Sequence, residues 1–581
     1  MKTLLSNKKG ITSYFIYSSS DLPQPLQKRG VMHGCCSECE FKVSLSGRFR
    51  RVKFWKNEAL ILSHYLDKAQ IINSWNIAWG VMVSRLRMLV LIIFLATISL
   101  TTNAQPGNLY IGTASADITP RLPVALMGQF ELRIADKAET PLVANVLALE
   151  SRNGKNLLDA AIIVSCDLIG IPPRFLTGVR DEVHRQVPEL DVTKIFLNAT
   201  HTHTGPVMDD DPAFSFRYPI PKNGVSQVDE FNRLFVQRVT EAVVKAWKSR
   251  REGSMSWGLS HAAIAYNRRA VFADGSAKML GQTSLPEFRN IEGLEDHDVN
   301  ILFFWDKQGK LIATTIDVPC PSQEVGQTST LNADYWHPVR EKLKQRFGSD
   351  FCVLGWCGAA GDQGPTPMYR LAAEDRMIRL RRLSHLEEIA RRIVVAFDEA
   401  YETVKKERYS NVTLIHKMDS VTLPMQLVSK LDYLAAKAER DKYLAQIAAD
   451  PKAVHDFFAP MTWQKDVVDR YEYQKDHPNP TIKSEIHVIR IGDVAICSSE
   501  FELFTDYGIR IQARSHALQT FVIQLAAGSG AAGPSYLATD KAIKGGGYSG
   551  IIQSNLVSPE GGQTLVNRTV ELINSMWPEV K

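Results

Sequence analysis

From residue 106 onward, unbroken apolar runs alternate with stretches in which apolar residues recur every three or four positions. The runs VANVLALES (143–151), AAIIVSCDL (160–168), KIFLNA (194–199), NILFFW (300–305), LIATTIDV (311–318), FCVLGW (351–356), EIHVIRIGDVAICS (485–498) and TFVIQLAAG (520–528) predict strands. Between them, Phe231, Phe235, Val239, Ala242, Val243 and Ala246 mark an amphipathic helix over 228–247. Ser384 followed by Glu387 predicts a capping box, and Leu386, Ile389, Ile393 and Phe397 share one face of the helix it starts. These stripes face a core. Strands that are apolar throughout are buried on both sides, and their alternation with helices predicts a layered α/β fold. Mixed sheets with flanking helices, and a binding site on the loops at strand ends, follow from that class.

One stretch departs from the alternation. Residues 424–482 are helical and heavily charged, from LVSKLDYLAAKAERDKYLAQIAAD through to YEYQKDHPNP. This predicts an inserted helical hairpin, most simply a solvated surface element and alternatively a lid over a substrate.

Composition is that of a soluble globular protein, with 45% hydrophobic and 23% charged residues in 581. The net charge of +5 is unevenly spread. Residues 1–104 hold 14 Lys and Arg against 5 Asp and Glu, and the rest hold 54 against 58. A faintly acidic body argues against nucleic acid as a partner. The basic start includes MVSRLRMLVLIIFLATISLTTNAQ (82–105), with two arginines, an apolar core from Met88 to Leu100, and small residues after it. That is the pattern of a secretory leader over 82–104, and its apolar core is short of the ~20 residues that span a bilayer. The expectation is that translation starts at Met82 or Met88 and that residues 1–81 belong to an over-extended gene model with little structure. The alternative is an N-terminal domain before a signal-anchor helix. Residues 105–581 are then exported, to a periplasm or to the medium.

Cys35, Cys36 and Cys39 fall in the discarded segment, three thiols without a partner pair. The exported part keeps Cys166, Cys320, Cys352, Cys357 and Cys497. An odd, irregularly spaced set does not describe a disulfide scaffold, so at least one thiol is free.

Each strand delivers chemistry at its end. KIFLNA leads to His201 and His203, which in an extended segment would point the same way, and then to a turn at Gly205-Pro206. LIATTIDV leads to PCPSQE, with Cys320 between two prolines. FCVLGW leads to CGAAGDQGP, whose backbone N–H groups could take an oxyanion. DVAICS leads to Glu500 and Glu502, and TFVIQLAAG leads to Tyr536 and Tyr548. Singly, each has an ordinary structural reading. Together they offer nitrogen, thiolate and carboxylate donors, which suit zinc. A Gly-x-Ser-x-Gly elbow, a Walker loop and a dinucleotide fingerprint are all missing from the sequence.

The segments IGTASADITP, NATHTHTGP, YNRRA, GAAGDQGP, FELFTDYGIR and YLATDKAIKGGGYSG stand in the order seen in neutral ceramidases. The chain resembles that family over roughly residues 108–560. The resemblance implies a zinc-dependent amidase that cleaves an N-acyl bond in a ceramide-like lipid or another small amide, working at a membrane surface. It would place zinc on His201, Cys320, Glu502 and Tyr536. Glu502 is preferred to Glu500 because it precedes Gly508 by the family's interval. His203, Arg268, Asp362 and Tyr548 match residues that orient substrate and stabilise charge.

Three departures qualify the likeness. Cys320 stands where the family has a second histidine, Gly364 where it has a serine, and the chain ends about where an immunoglobulin-like domain would begin. The expected mechanism is therefore attack by a zinc-activated water, with no serine hydroxyl and no C-terminal immunoglobulin-like domain. Two alternatives stay open: a zinc hydrolase of another amide or ester, and a binding protein that keeps the fold without turnover.

Overall fold

The computed structural model describes residues 41–45, 48–52, 105–209, 217–528 and 535–577. The chain divides into two compact units, Met1–Thr102 and Asn103–Lys581. In the first, strands Phe41–Leu45 and Arg48–Val52 pair antiparallel. The leader at 82–104 and Cys35, Cys36 and Cys39 lie outside the described residues.

The second unit rests on eight long strands: β1 Gly107–Asp117, β2 Val143–Asn153, β3 Asn156–Cys166, β4 Ile195–Ala199, β5 Arg251–His261, β6 Asp298–Asp306, β7 Leu311–Val318 and β8 Cys352–Cys357. They form a mixed sheet in the order β8-β7-β6-β5-β1-β2-β3-β4, with the short strand Asn411–Val412 paired to the start of β1. The pairs β3/β4 and β7/β8 are parallel. A second sheet contains β9 Leu414–Pro424, β10 Thr481–Ile491, β11 Val494–Ser498 and β12 Gln519–Ile523, of which β11 and β12 are parallel.

The two sheets bury their inner faces on each other. Leu147, Leu149, Ile163, Phe196, Phe304 and Trp356 meet Ile489, Ile491, Ile496 and Phe521. Alternate residues of the same strands face the other way. Val146, Ala148, Ile162 and Val164 pack on helices α1 (Pro173–Gln186) and α2 (Val228–Lys248). Ile301, Phe303, Ile316 and Val318 pack on α3 (Trp336–Phe347), while α4 (Leu371–Arg381) is largely exposed. The same cluster continues onto α5 (His385–Val404). Burial on both faces is what made these strands apolar end to end, each large side chain contributing about 1.5–3 kcal/mol. The capping box is present: Glu387 N donates to Ser384 Oγ at 3.2 Å, and Ser384 N to the Glu387 carboxylate at 2.7 Å.

The predicted insertion is a helical hairpin, α6 (Lys430–Ala449) and α7 (Val454–Asp476), joining β9 to β10 beyond the Pro424–Thr481 pair. Outside the second sheet lie α8 (Thr505–Arg514) and α9 (Pro559–Asn574), packed on Val488, Cys497 and Val522. The layers thus run helix, sheet, sheet, helix. Loops after the parallel strands then meet: Ser322 N donates to Thr200 O (3.2 Å), Gln524 N to Cys357 O (2.9 Å) and Gly361 N to Leu503 O (2.8 Å).

Candidate active site

β4 stops at Ala199, and the histidines lie beyond it in a turn. Thr200 N donates to Cys166 O and His201 N to Leu168 O, both at 2.9 Å. His201 takes φ 66°, a left-handed conformation that is uncommon for a side-chain-bearing residue and tends to occur at functional sites. The extended spacing expected from the sequence is therefore wrong in detail, because the strand has already ended. The two rings still come together, edge to face at 5.0 Å. Beneath them Asp167 is gripped by Arg340 in a fork (2.6 and 2.9 Å) and accepts the Thr200 hydroxyl at 3.3 Å.

His201 Nδ1 sits 2.6 Å from Ile169 O, which places the ring proton on that nitrogen. Its Nε2 then carries a lone pair. That atom is buried with no hydrogen-bond partner and lies 3.4 Å from Glu502 Oε2. Glu502 is itself positioned by pairing: Glu502 and Tyr536 stand opposite each other on two short parallel strands, and burial first, with the Glu502 charge adding to it, holds the Tyr536 phenol well above its ordinary value. A Cβ at Gly361 would lie 2.4 Å from Glu502 O, so only glycine lets the two loops approach this closely.

Arg268, which could have been a surface turn, is buried. Its guanidinium donates to Tyr536 Oη and Gly361 O at 3.1 Å each and lies 3.8 Å from Glu502 Oε2. Burial opposes its charge, but Tyr536 and Glu502 outweigh that and hold it firmly protonated. The other guanidinium nitrogen, Nη1, donates to Gln323 Oε1 at 3.3 Å. This fixes the carboxamide, because arginine can only donate. Gln323 Nε2 then donates to His203 Nε2 at 2.8 Å. His203 is neutral: burial, and then His201, Arg268 and Arg133, push its pKa well below the ordinary value.

These groups line one cavity of about 470 Å³, with Tyr548 and Gly364 beside them. Several residues in and behind its lining carried no signal in the sequence. Arg133 is buried and donates to the carbonyls of Met127 (2.9 Å) and His203 (2.7 Å), bracing the histidine loop. Phe130, Trp463 and Tyr548 form a ring cluster with centroids 5.3–5.9 Å apart. Trp463, Asp466 and Arg470 come from α7, so the inserted hairpin is a wall of the cavity. Arg470 also donates to Ile552 O at 3.1 Å, binding that helix to the Tyr548 loop. Glu324 lines the cavity too, its carboxyl raised to about 7 by burial and by Asp334.

Three expectations meet a different placement. Cys320 does not line the cavity: its thiol donates to Ile264 O at 3.2 Å within the apolar cluster under α3 and α5, and burial pushes its pKa well up. The reason is parity. Ile316, Val318 and Cys320 continue one alternation, and all three fall on the helix-packed face. Asp362 lies under the site, accepting from Thr505 N (2.8 Å), Thr505 Oγ1 (2.7 Å) and Asn267 Nδ2 (2.9 Å), while its carbonyl receives Arg268 N. It positions Arg268. In the loop 357–365, the N–H groups of Gly358, Ala360, Gly361 and Gln363 already donate within the protein, so they do not await an oxyanion. Glu500 accepts from Glu485 N at 2.5 Å and sits apart from the cavity lining.

A metal suits part of this set. His201 has a carbonyl behind one nitrogen and an unspent lone pair on the other, the usual arrangement of a ligating histidine. With Glu502 and Tyr536 it offers one nitrogen and two oxygens, leaving positions open. No group of three His, Cys, Asp or Glu suited to a metal occurs among the described residues, so the set depends on the tyrosine.

Neither protein-family models nor curated proteins yield a match to this sequence. Solved structures do. The neutral ceramidase from Pseudomonas aeruginosa superposes with a TM-score of 0.56 at 17% identity, over 81% of this chain and 76% of that one. A ceramidase complexed with C2 gives 0.55 at 15% identity, over 80% and 75%. The chain has the neutral ceramidase fold.

Proposed function

We propose that this chain is an exported hydrolase that cleaves the N-acyl amide bond of a ceramide-like lipid, with zinc held by His201, Glu502 and Tyr536. The observation that carries the reading is the unpartnered Nε2 of His201, buried 3.4 Å from Glu502 in a cavity with an aromatic wall. The fold supports it, since both matched structures are ceramidases. Bound zinc would supply Lewis acidity and a water reactive near neutral pH.

The chain's own residues do the rest. Arg268, charged and buried, is placed to stabilise negative charge growing on a carbonyl oxygen. Tyr548 is raised well above the ordinary phenol value by burial, so it stays a neutral donor for the same oxygen. His203, neutral and held by Gln323, is a proton acceptor once that amide releases it. Phe130 and Trp463 shoulder an alkyl chain and keep water out.

Gly364 favours a second reading, a different amide or ester, because the family's serine hydroxyl has no counterpart here. One assay separates them. The purified protein is offered ceramide and a panel of other N-acyl amides and esters, with chelator and with zinc restored. Fatty-acid release from ceramide that needs zinc and disappears in His201→Ala is the expected result. Release only from another substrate moves the assignment to that class, and a zinc-loaded protein that hydrolyses none of them overturns it.

A further inference from the structure

We infer that the mouth of the cavity docks on an anionic lipid surface, through an apolar rim and the arginine-rich helix α4 beside it. The inference rests on the lipid-substrate reading above. Leu280 lines the cavity and is 58% exposed, so it stands at the mouth. Leu285, five residues on, is also exposed. Thr283 Oγ1 donates to Met368 O at 2.8 Å, which ties this loop to the segment that follows Gly364. Pro365 and Thr366 of that segment line the cavity too, and Tyr369 and Leu371 just after them are exposed. α4 continues the surface with Met377 and Leu380, the latter 63% exposed. Single exposed leucines need no explanation, but a run of them leading from a cavity mouth marks an interaction surface.

Charge identifies the partner. α4 also carries Arg376 and Arg379, and Arg382 caps its end; all three are exposed, and none has a carboxylate partner among the described residues. Their neighbours Arg370 and Arg381 are paired, with Glu374 and Glu388. Apolar side chains that can enter the acyl boundary, beside unpaired guanidinium groups, fit an anionic bilayer. A lipid could then pass from the bilayer over Leu280 into the cavity without crossing water. Among the described residues no helix is long and apolar enough to cross a membrane.

The test is sedimentation of the full chain with vesicles of phosphatidylcholine, with and without phosphatidylglycerol. Binding is expected only with the anionic lipid, and the arginines together should raise it about 10²-fold. Arg376→Glu/Arg379→Glu/Arg382→Glu should abolish it, and Leu371→Glu/Leu380→Glu should weaken it independently. Leu518→Glu, an exposed leucine just before β12 and at the opposite end of that strand from the site, should bind as wild type. Sedimentation indifferent to the arginine and leucine changes, or equal on neutral vesicles, overturns the docking surface. The two readings fail separately. A protein that binds vesicles and hydrolyses nothing removes the amidase and leaves the surface. One that hydrolyses a soluble short-chain amide but ignores vesicles removes the surface alone.

Discussion

Between the two sheets, His416 Nε2 lies 2.9 Å from His487 Nδ1, and His487 Nε2 lies 2.8 Å from Glu485, which also takes Arg180 at 2.7 Å. In the cavity, His201 and His203 meet edge to face, with Glu502 and Arg268 alongside. Both regions hold two histidines, a glutamate and an arginine. In the first, the groups form one chain, each leaning on the next, with Phe196 stacked on His487 at 5.1 Å. Burial would raise the Glu485 carboxyl, but His487 and Arg180 hold it down at about 2. His416 Nδ1 there has no partner either, but it does not line the cavity; in the second region, His201 Nε2 is left without a partner beside open volume. Side-chain types do not separate a structural cluster from a reactive one. An unspent lone pair next to a cavity does.

The sharpest way to break this contrast is to remove one histidine from each pair. His201→Ala should lower turnover about 10³-fold or more, with little change in stability. His487→Leu should do the reverse, costing about 1–3 kcal/mol by leaving buried His416 Nε2 without a partner and Glu485 with Arg180 alone, while kcat holds. Steady-state kinetics and urea denaturation read the two effects. A His487→Leu protein of native stability that had lost turnover would end the distinction.

Acid should sharpen it next. Burial, and then neighbouring charges, hold His416 well below its ordinary 6.5, and His487 is lowered by the same cause. The unfolded chain therefore binds protons that the native one refuses, so stability is full above 6.5 and declines as pH falls below it. Glu485 adds a second loss as pH falls from its ordinary 4.5 toward about 2. Buried carboxyls such as Glu324, raised to about 7, act in the opposite sense, so the pair is read from the difference between two proteins: the wild-type urea midpoint should lose ground relative to His487→Leu as pH falls from about 7 to about 4. A difference that does not change with pH would contradict the neutral pair.

The layers were legible because most strands are buried on both faces and read as unbroken apolar runs. Strands that alternate escaped notice: β5 is REGSMSWGLSH and β9 is LIHKMDSVTLP, each with polar residues interleaved. Six site residues were legible because they follow strands or sit in ordered motifs: His201, His203, Arg268, Glu502, Tyr536 and Tyr548 all reach the cavity. Gln323, Trp463 and Asp466 were not, since only the folded chain brings them there, and neither was Arg133, which braces the His203 loop from outside the lining. Cys320 could have been placed by counting alternate residues from Ile316, which puts its thiol on the helix side. Cys320→Ser should then cost about 1–2 kcal/mol while metal content stays unchanged. Thiol labelling at the same slow rate with and without metal would agree, whereas protection by metal would return Cys320 to the ligand set.

The smallest change bears on Gly364, where the resemblance to neutral ceramidases implies a serine. Gly364 pairs with Tyr266 in a short antiparallel ladder, and a Cβ there would meet only Arg268 Cδ, at 3.5 Å. That is ordinary van der Waals contact, so Gly364→Ser should shift stability by no more than about 0.5 kcal/mol. The added hydroxyl would stand in the cavity beside the Arg268 stem, at the position the family fills with serine. If the chain handles ceramide with family geometry, the variant should turn it over about tenfold faster, a difference of about 1.4 kcal/mol in barrier. Hydrolysis of unrelated esters should stay level, because the gain depends on where a ceramide carbonyl lies. A folded Gly364→Ser protein that is no faster on ceramide, and slower on some other amide, would mean that the open space at Gly364 is where this chain's own substrate fits.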